Sequence, residues 1–426
     1  MLNRKIAPDF QDIDHISLLH PEHTRLANGC NIFCFNSGDQ ELVRIEWIFN
    51  NIKFNPAKPL LNVTANTMLS EGTTSMTAAQ IADKIDFYGA FLQAEYGYDH
   101  SEVTLYSLNK HLSNTLPVIK DILTNAVFPE KELETFIRNA QQKLQVSLQK
   151  NDMIARRSFN KAIYGDTIYG FGATAEDYKQ LQREDLLAHY KQMYRPSNCT
   201  IIISGKIEPQ ALELVKETFD KNWQSADDNK IDTNQLAIQP AADHLYYTEK
   251  PQALQSAIRM GLPMINRTHP DFPSLQVLNT VFGGYFGSRL MANIREDKGY
   301  TYGIGSGISS LKNGGAFYIA TEVGADVCKA AVDEIEKEVN RLKTELIPEE
   351  ELALVRNYML GSLLGSLENV FSHADKFKSL YFAGLDYSYY DRYTRIIKDI
   401  TAEELQALAN KYFKFDEFYK VIVGKY

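Results

Sequence analysis

Hydrophobic and polar positions change period several times along this chain, and each change marks an element. Glu41–Asn50 (ELVRIEWIFN) and Ala94–Leu108 (AEYGYDHSEVTLYSL) alternate with a period of two, which predicts strands with one buried face. Ile81–Gly89 (IADKIDFYG) and Leu112–Val127 (LSNTLPVIKDILTNAV) follow the helical period instead. Leu60–Thr73 (LLNVTANTMLSEGT) predicts a helix running into a Gly-Thr stop. Within it Val63, Asn66 and Thr67 stand at i, i+3 and i+4, a spacing that predicts a shared face. That spacing suits a metal or a general base, yet these residue types serve neither.

The pattern then repeats. Arg183–Ile207 and Thr401–Lys425 each read as helix, short turn and buried strand. Glu184-Asp185-Leu186 matches Glu403-Glu404-Leu405 and Gly205-Lys206 matches Gly424-Lys425, at an offset of 219. Ile137–Asn151 faces Val355–Asn369 at 218, and the ANTMLSEG run at Ala65 pairs with LNTVFGGY at Leu278 at 213. Three matches in one order at nearly one offset predict a duplication. The fold expected is α+β, with two homologous halves related by a pseudo-twofold axis as a clamshell. Each half should be a mostly antiparallel sheet with helices on one face. Gln224–Pro240 is polar, acidic and closed by proline, so the expected units are 1–225, a linker over 226–243, and 244–426.

Composition narrows the class without naming it. A chain of 426 residues with 44% hydrophobic and 23% charged residues is long enough for two or three cores. A net charge of -9 without a Lys/Arg block argues against nucleic acid as a partner. No apolar run approaches a membrane span, and the amino end has no apolar core of signal-peptide length. Cys30, Cys34, Cys199 and Cys328 form no C-x-x-C pair; read as buried thiols, they point to a reducing compartment, the cytoplasm.

Candidate chemistry is sparse. None of the nine histidines stand at i, i+4, so no helix offers a two-histidine metal face. His20 and His23 flank a proline in a surface-like stretch, and His100, beside Asp99 and Glu102 in a strand, reads as a structural or solvent-facing histidine. The glycines of Phe282–Ser288 and Gly303–Gly307 lack the strand–GxGxxG–helix order of a dinucleotide site and read as points of close backbone approach. One corner remains. In Gly287–Leu311 a helix ends at Gly299 and a strand follows, with Arg295 and Tyr302 on either side. A fixed cation beside a phenol can bind a peptide carbonyl or stabilise an oxyanion. On the residues alone, a surface salt bridge and a packed tyrosine are the favoured reading.

Taken over Leu26–Lys425, the chain resembles the pitrilysin-type inverted-zincin metallopeptidases, which include insulin-degrading enzyme and the mitochondrial processing peptidase. The resemblance is carried by FGSRLMANIREDKGYTYGIGS, by YGFGATAEDYKQLQREDLLAHYKQMYRPSN and by the duplicated halves. The family's H-x-x-E-H motif is missing: only its tail survives, in Met68, Leu69, Gly72 and Thr73. By this resemblance Val63 and Thr67 stand for the two histidines and Asn66 for the general-base glutamate. The third ligand's helix, around Ala140–Leu148, contains no acid. Arg295 and Tyr302 match the pair that the second half of active members contributes.

The resemblance therefore implies no metal in this chain and zinc in a partner. That partner would be a homologous subunit bearing H-x-x-E-H, with self-association as the other possibility. It also implies a peptide substrate, added as a strand near Gln93, Ala94 and Glu95. The leading expectation is the zinc-less subunit of a heterodimeric metallopeptidase, and the alternative is a catalytically inactive peptide-binding or assembly scaffold.

Overall fold

Each predicted alternation becomes a strand because its apolar face closes on helices that carry the complementary stripe. The computed structural model describes residue 13, residues 16–220, residue 223 and residues 231–426. The first half opens with β1 (Glu22–Arg25), β2 (Asn31–Asn36) and β3 (Leu42–Asn50), followed by α1 (Leu61–Thr67) and α2 (Ala78–Phe87). The hairpin β4 (Phe91–Tyr96) and β5 (His100–Leu108) leads into α3 (Leu112–Asn125), α4 (Glu130–Ser147) and α5 (Asn151–Tyr164). Then come α6 (Ala175–Lys179), α7 (Arg183–Met193), β6 (Cys199–Gly205) and α8 (Pro209–Asp220). The second half runs through β7 (Leu245–Glu249), β8 (Gln255–Met264), α9 (Phe272–Asn279), β9 (Thr301–Leu311) and β10 (Gly314–Gly324). It ends with α10 (Cys328–Thr344), α11 (Glu349–Gly365), α12 (Val370–Tyr381), α13 (Ser388–Asp399), α14 (Ala402–Tyr412) and β11 (Tyr419–Gly424).

The two sheets share one topology. The first is ordered β1-β2-β6-β3-β5-β4 and the second β7-β11-β8-β10-β9, so they coincide strand for strand once β1 is set aside. Each has one parallel pair, β2 with β6 and β7 with β11, and is otherwise antiparallel. The last residues of β6 and β11 show why the Gly-Lys match recurs. Gly205 has φ +133° and Gly424 φ +137°, and a Cβ would drive Gly205 into the Leu42 carbonyl and Gly424 into Ser256. Helix boundaries correct one offset. The proline caps of α4 and α11, Pro129 and Pro348, lie 219 apart, so the Arg-Asn identity that suggested 218 is out of register by one residue.

One face of each sheet packs on helices of its own half. Trp47, Ile201, Leu116 and Phe219 lie in the first core, and Phe317, Phe282, Ile335 and Phe413 in the second. The opposite face is covered as well, by a helix from the other half. α5 lies on β8 and β11, and its counterpart α12 lies on β6 and β2. The expected linker falls in part on residues outside those described. Its described portion is docked: Asn234 is buried and accepts from the Phe54 amide at 2.8 Å, while the Leu236 amide donates to Asn313 at 3.2 Å. Among the described residues, no helix is long and apolar enough to cross a membrane.

Candidate functional site

α1 is short, and its three anticipated site positions do not share one face. Val63 and Thr67, one turn apart, line a cavity of about 800 Å³. Asn66 points away from it and is fully buried. Its Nδ2 donates to the Glu95 carbonyl at 2.8 Å, and its Oδ1 accepts from the Tyr194 hydroxyl at 2.9 Å. A buried amide needs such partners, so the spacing rule fails here because packing against β4 claimed the middle residue. Asn279, the counterpart of Asn66, plays the same part in the second half, where its Oδ1 accepts from Ser306 Oγ on edge strand β9 at 2.8 Å. The asparagine ties a helix to the edge strand in both halves.

The residues present do not fit a zinc ion. Val63 has no donor atom, and the Thr67 hydroxyl already donates to the Val63 carbonyl at 2.8 Å. Across the cavity the stretch of α4 where the resemblance expects a carboxylate ligand contributes Ala140, Lys143, Leu144 and Ser147, none of them acidic. The acids on the wall are Glu71 and Glu132, and burial, with Glu132 adding to it, holds the Glu71 carboxyl above its ordinary value. No group of three metal-ligating side chains occurs among the described residues. His23 pairs with Asn31 at 3.0 Å and stacks on Phe33, and His20 lies against Tyr387. His100 packs on Phe382 at 4.2 Å, where burial pushes its imidazole down to about 4. All four cysteines are buried.

Gln93, Ala94 and Glu95 lie on β4, the edge strand of the first sheet. Gln93 and Glu95 face outward, whereas Leu92 and Ala94 floor an apolar cavity of about 470 Å³ with Ile81 and Ile85 of α2. β5 is the only strand paired with β4, and the Glu95 carbonyl of β4 additionally accepts from Asn66.

Arg295 and Tyr302 come together in the second half. Arg295 sits on a π-helical stretch, Met291–Asp297, a geometry frequent at functional sites. That stretch is clamped to its neighbours. Arg289 makes a bidentate pair with Glu351 at 2.9 Å, and Asn293 donates to Glu334 at 3.1 Å and to Glu338 at 2.7 Å. Close approach to β9 explains Gly283, where a Cβ would meet Ser306 Oγ at 2.5 Å, whereas Gly303 has open space around it. The Arg295 guanidinium lies over Phe286 at 4.6 Å and 6.0 Å from the Tyr302 ring centroid.

The packed-tyrosine reading is overturned, because Tyr302 is 95% exposed. β9 carries Tyr302 and Gly303 opposite the single residue Glu322, and this bulge turns the phenol outward. The salt bridge of Arg295, to Glu296 at 3.8 Å, is a loose surface contact. Neither residue borders the cavity beside Val63, whose lining runs from Val63 to Tyr178.

Comparison with known proteins agrees with this architecture. The family profile described as "Insulinase (Peptidase family M16)" matches residues 65–171, and "Peptidase M16 inactive domain" matches residues 180–359. The chain belongs to the M16 peptidase family. It is 26% identical over 308 residues to "Uncharacterized zinc protease YmxG" of Bacillus subtilis, covering 71% of this chain and 73% of that protein. It is 20% identical to "Non-peptidase homolog YmxG" of Helicobacter pylori, covering 84% and 82%. A crystal structure of a peptidase M16 inactive domain from Pseudomonas fluorescens superposes with a TM-score of 0.85 at 20% identity, covering 96% of this chain and 99% of that one. The profile named for the inactive domain falls mainly on the second half, and in the first half Val63, Asn66 and Thr67 carry neither histidine nor carboxylate.

Phe286 escaped the sequence reading, although its FGGYFGS run was singled out for the glycines. So did Lys143, although adding its neighbours by helical spacing to Asn139 would have placed it on the cavity wall.

Proposed function

We propose that this chain is the zinc-less subunit of a two-chain M16 metallopeptidase, lending Arg295 and Tyr302 and a chamber wall to a zinc-bearing H-x-x-E-H homologue. The observation that supports the reading is the exposed Phe286–Arg295–Tyr302 cluster. A tyrosine turned to solvent by a bulge, with a cation beside it, contributes little to folding. Its hydroxyl and the guanidinium are donors suited to the charge that develops on a peptide carbonyl during hydrolysis. The open edge of β4 at Gln93, Ala94 and Glu95 offers a peptide its backbone partners, and the apolar cavity beneath Ala94 takes alternate side chains. A cytoplasmic setting goes with the buried thiols.

The test is to mix the purified chain with the homologue from the same genome that keeps H-x-x-E-H. Activity should appear that neither chain shows alone, and Tyr302→Phe should lower turnover about 10²–10³-fold with co-purification unchanged. Ala94→Pro should weaken peptide binding, because it removes a backbone donor and stiffens the edge. Full turnover with Tyr302→Phe would transfer the chain to the scaffold reading.

A further inference from the structure

The cavity beside α1 has a counterpart in the second half. Val63 and Thr67 shifted by 213 give Gln276 and Thr280, and Lys143 and Arg157 shifted by 219 give Ser362 and Lys376. All four line a second cavity of about 640 Å³, walled by α9, α11, α12 and α13. Descent explains its shape; its chemistry is its own.

Two cations face this space. Arg267, from the loop after β8, donates Nε to Ser310 Oγ at 3.4 Å and Nη1 to the Ser379 carbonyl at 3.1 Å, both neutral acceptors. Lys376 reaches in from α12, and among the described residues no hydrogen bond or ion pair engages its ammonium group. One carboxylate, Asp375, also borders the cavity, and it is partly neutralised there, pairing with Arg44 at 2.9 Å and lying 3.8 Å from Lys378. Burial holds the Lys376 ammonium below its ordinary value, opposed by Asp375 and reinforced by Arg267. The phenols of Tyr389 and Tyr390 lie within the electrostatic reach of Arg267. Tyr389 also stacks with Tyr393 at 6.1 Å, an aromatic wall beside the two cations.

We infer that this cavity binds a small molecule carrying a phosphate or carboxylate group, held between Arg267 and Lys376. A guanidinium supplies directed donors and an ammonium a point charge, the usual pair for an oxyanion. The serines of α11 and α12 and the tyrosine wall leave the cavity largely polar, which suits a small anionic ligand rather than an apolar one. The inference stands apart from the two-chain reading, because the cavity shares no residue with Phe286, Arg295 or Tyr302.

Isothermal titration with inorganic phosphate, and separately with succinate, at matched ionic strength tests it. One of the two should bind saturably at one site per chain, and which one responds identifies the acid group. Lys376→Gln should weaken that binding at least about tenfold with an unchanged circular dichroism spectrum. On the unaltered protein, NMR of the lysine ε-carbons should show the Lys376 resonance move on addition of the binding anion. The inference is overturned if neither anion binds above a chloride control. It is equally overturned if Lys376→Gln binds as well as the parent, or if the Lys376 resonance stays fixed.

Discussion

α5 and α12 both cross between the halves, and they land on unlike surfaces. α5 brings Ala155, Phe159, Ala162 and Ile163 against Ala257, Val421 and Val423 of the second sheet, an apolar seam. α12 meets the first sheet with a smaller apolar patch, Val370 and Ala374 on Phe33, Phe35, Ile48 and Ile202. Beside that patch Lys378 pairs with Glu46 at 2.6 Å and with Glu102 at 3.1 Å, while Arg44 pairs with Glu46 at 3.0 Å and with Asp375 at 2.9 Å. Position for position, Phe159 in one seam is Lys378 in the other, and Ala257 is Arg44.

Duplication thus preserved the crossing and not the chemistry that seals it. Taking ions out of water is costly, and burial keeps the Glu46 carboxyl above its ordinary value even with Arg44 and Lys378 beside it. The apolar seam is the one expected to carry more of the net stability.

The sharpest way to break the contrast is at Phe159, which is 2% exposed. Phe159→Ala should cost about 3–5 kcal/mol in denaturant unfolding, from lost transfer energy and a cavity. If the loss falls under about 1 kcal/mol, the apolar seam is not the stronger one. Lys378→Ala should cost less, about 2–3 kcal/mol, by leaving Glu46 with one cation and Glu102 with none. A loss equal to that of Phe159→Ala would erase the distinction between the seams.

Acid acts on the α12 side through His100, which packs on Phe382 just beyond α12. Its folded value, about 4, lies below the ordinary 6.5, so the unfolded chain binds the proton more readily. Stability contributed here is present above about 6.5 and declines as pH falls towards about 4. His100→Gln should flatten that limb by about 1–2 kcal/mol in unfolding measured across this window. An unchanged slope would place the acid sensitivity at another group, such as His189, whose imidazole burial also pushes down to about 4. Smallest of all, Tyr302→Phe should leave stability within about 0.5 kcal/mol, since an exposed side chain touches neither seam. A larger loss would mean that the phenol has a structural contact.

Much of the fold was legible in the residues because its signals are local. The period-two runs Glu41–Asn50 and Ala94–Leu108 became β3 and the hairpin of β4 and β5, and the recurrence of Glu-x-Leu helices before Gly-Lys strands announced two copies. That Val63, Asn66 and Thr67 include neither histidine nor carboxylate is likewise a matter of residue type, readable without the fold. What was misjudged depended on direction. Asn66 shares the spacing of Val63 and Thr67 but turns into the core, and the exposure of Tyr302, which residue type alone would pack, comes with a bulge in β9.

The amino-acid sequence by itself determined the duplicated architecture, and only through its resemblance to a family did Val63, Asn66, Thr67, Arg295 and Tyr302 acquire candidate roles. Hydrophobic period, glycine conformation and side-chain chemistry are properties of short stretches, and they can be read there. Only the tertiary structure decided that α5 and α12 exchange sheets, that one seam is apolar and the other ionic, and that Arg267 and Lys376 face one cavity. An amphipathic helix specifies which of its faces must be buried; it does not specify which of two homologous sheets will bury it. Residues 109 positions apart meet only where the folded chain brings α12 back over the loop after β8.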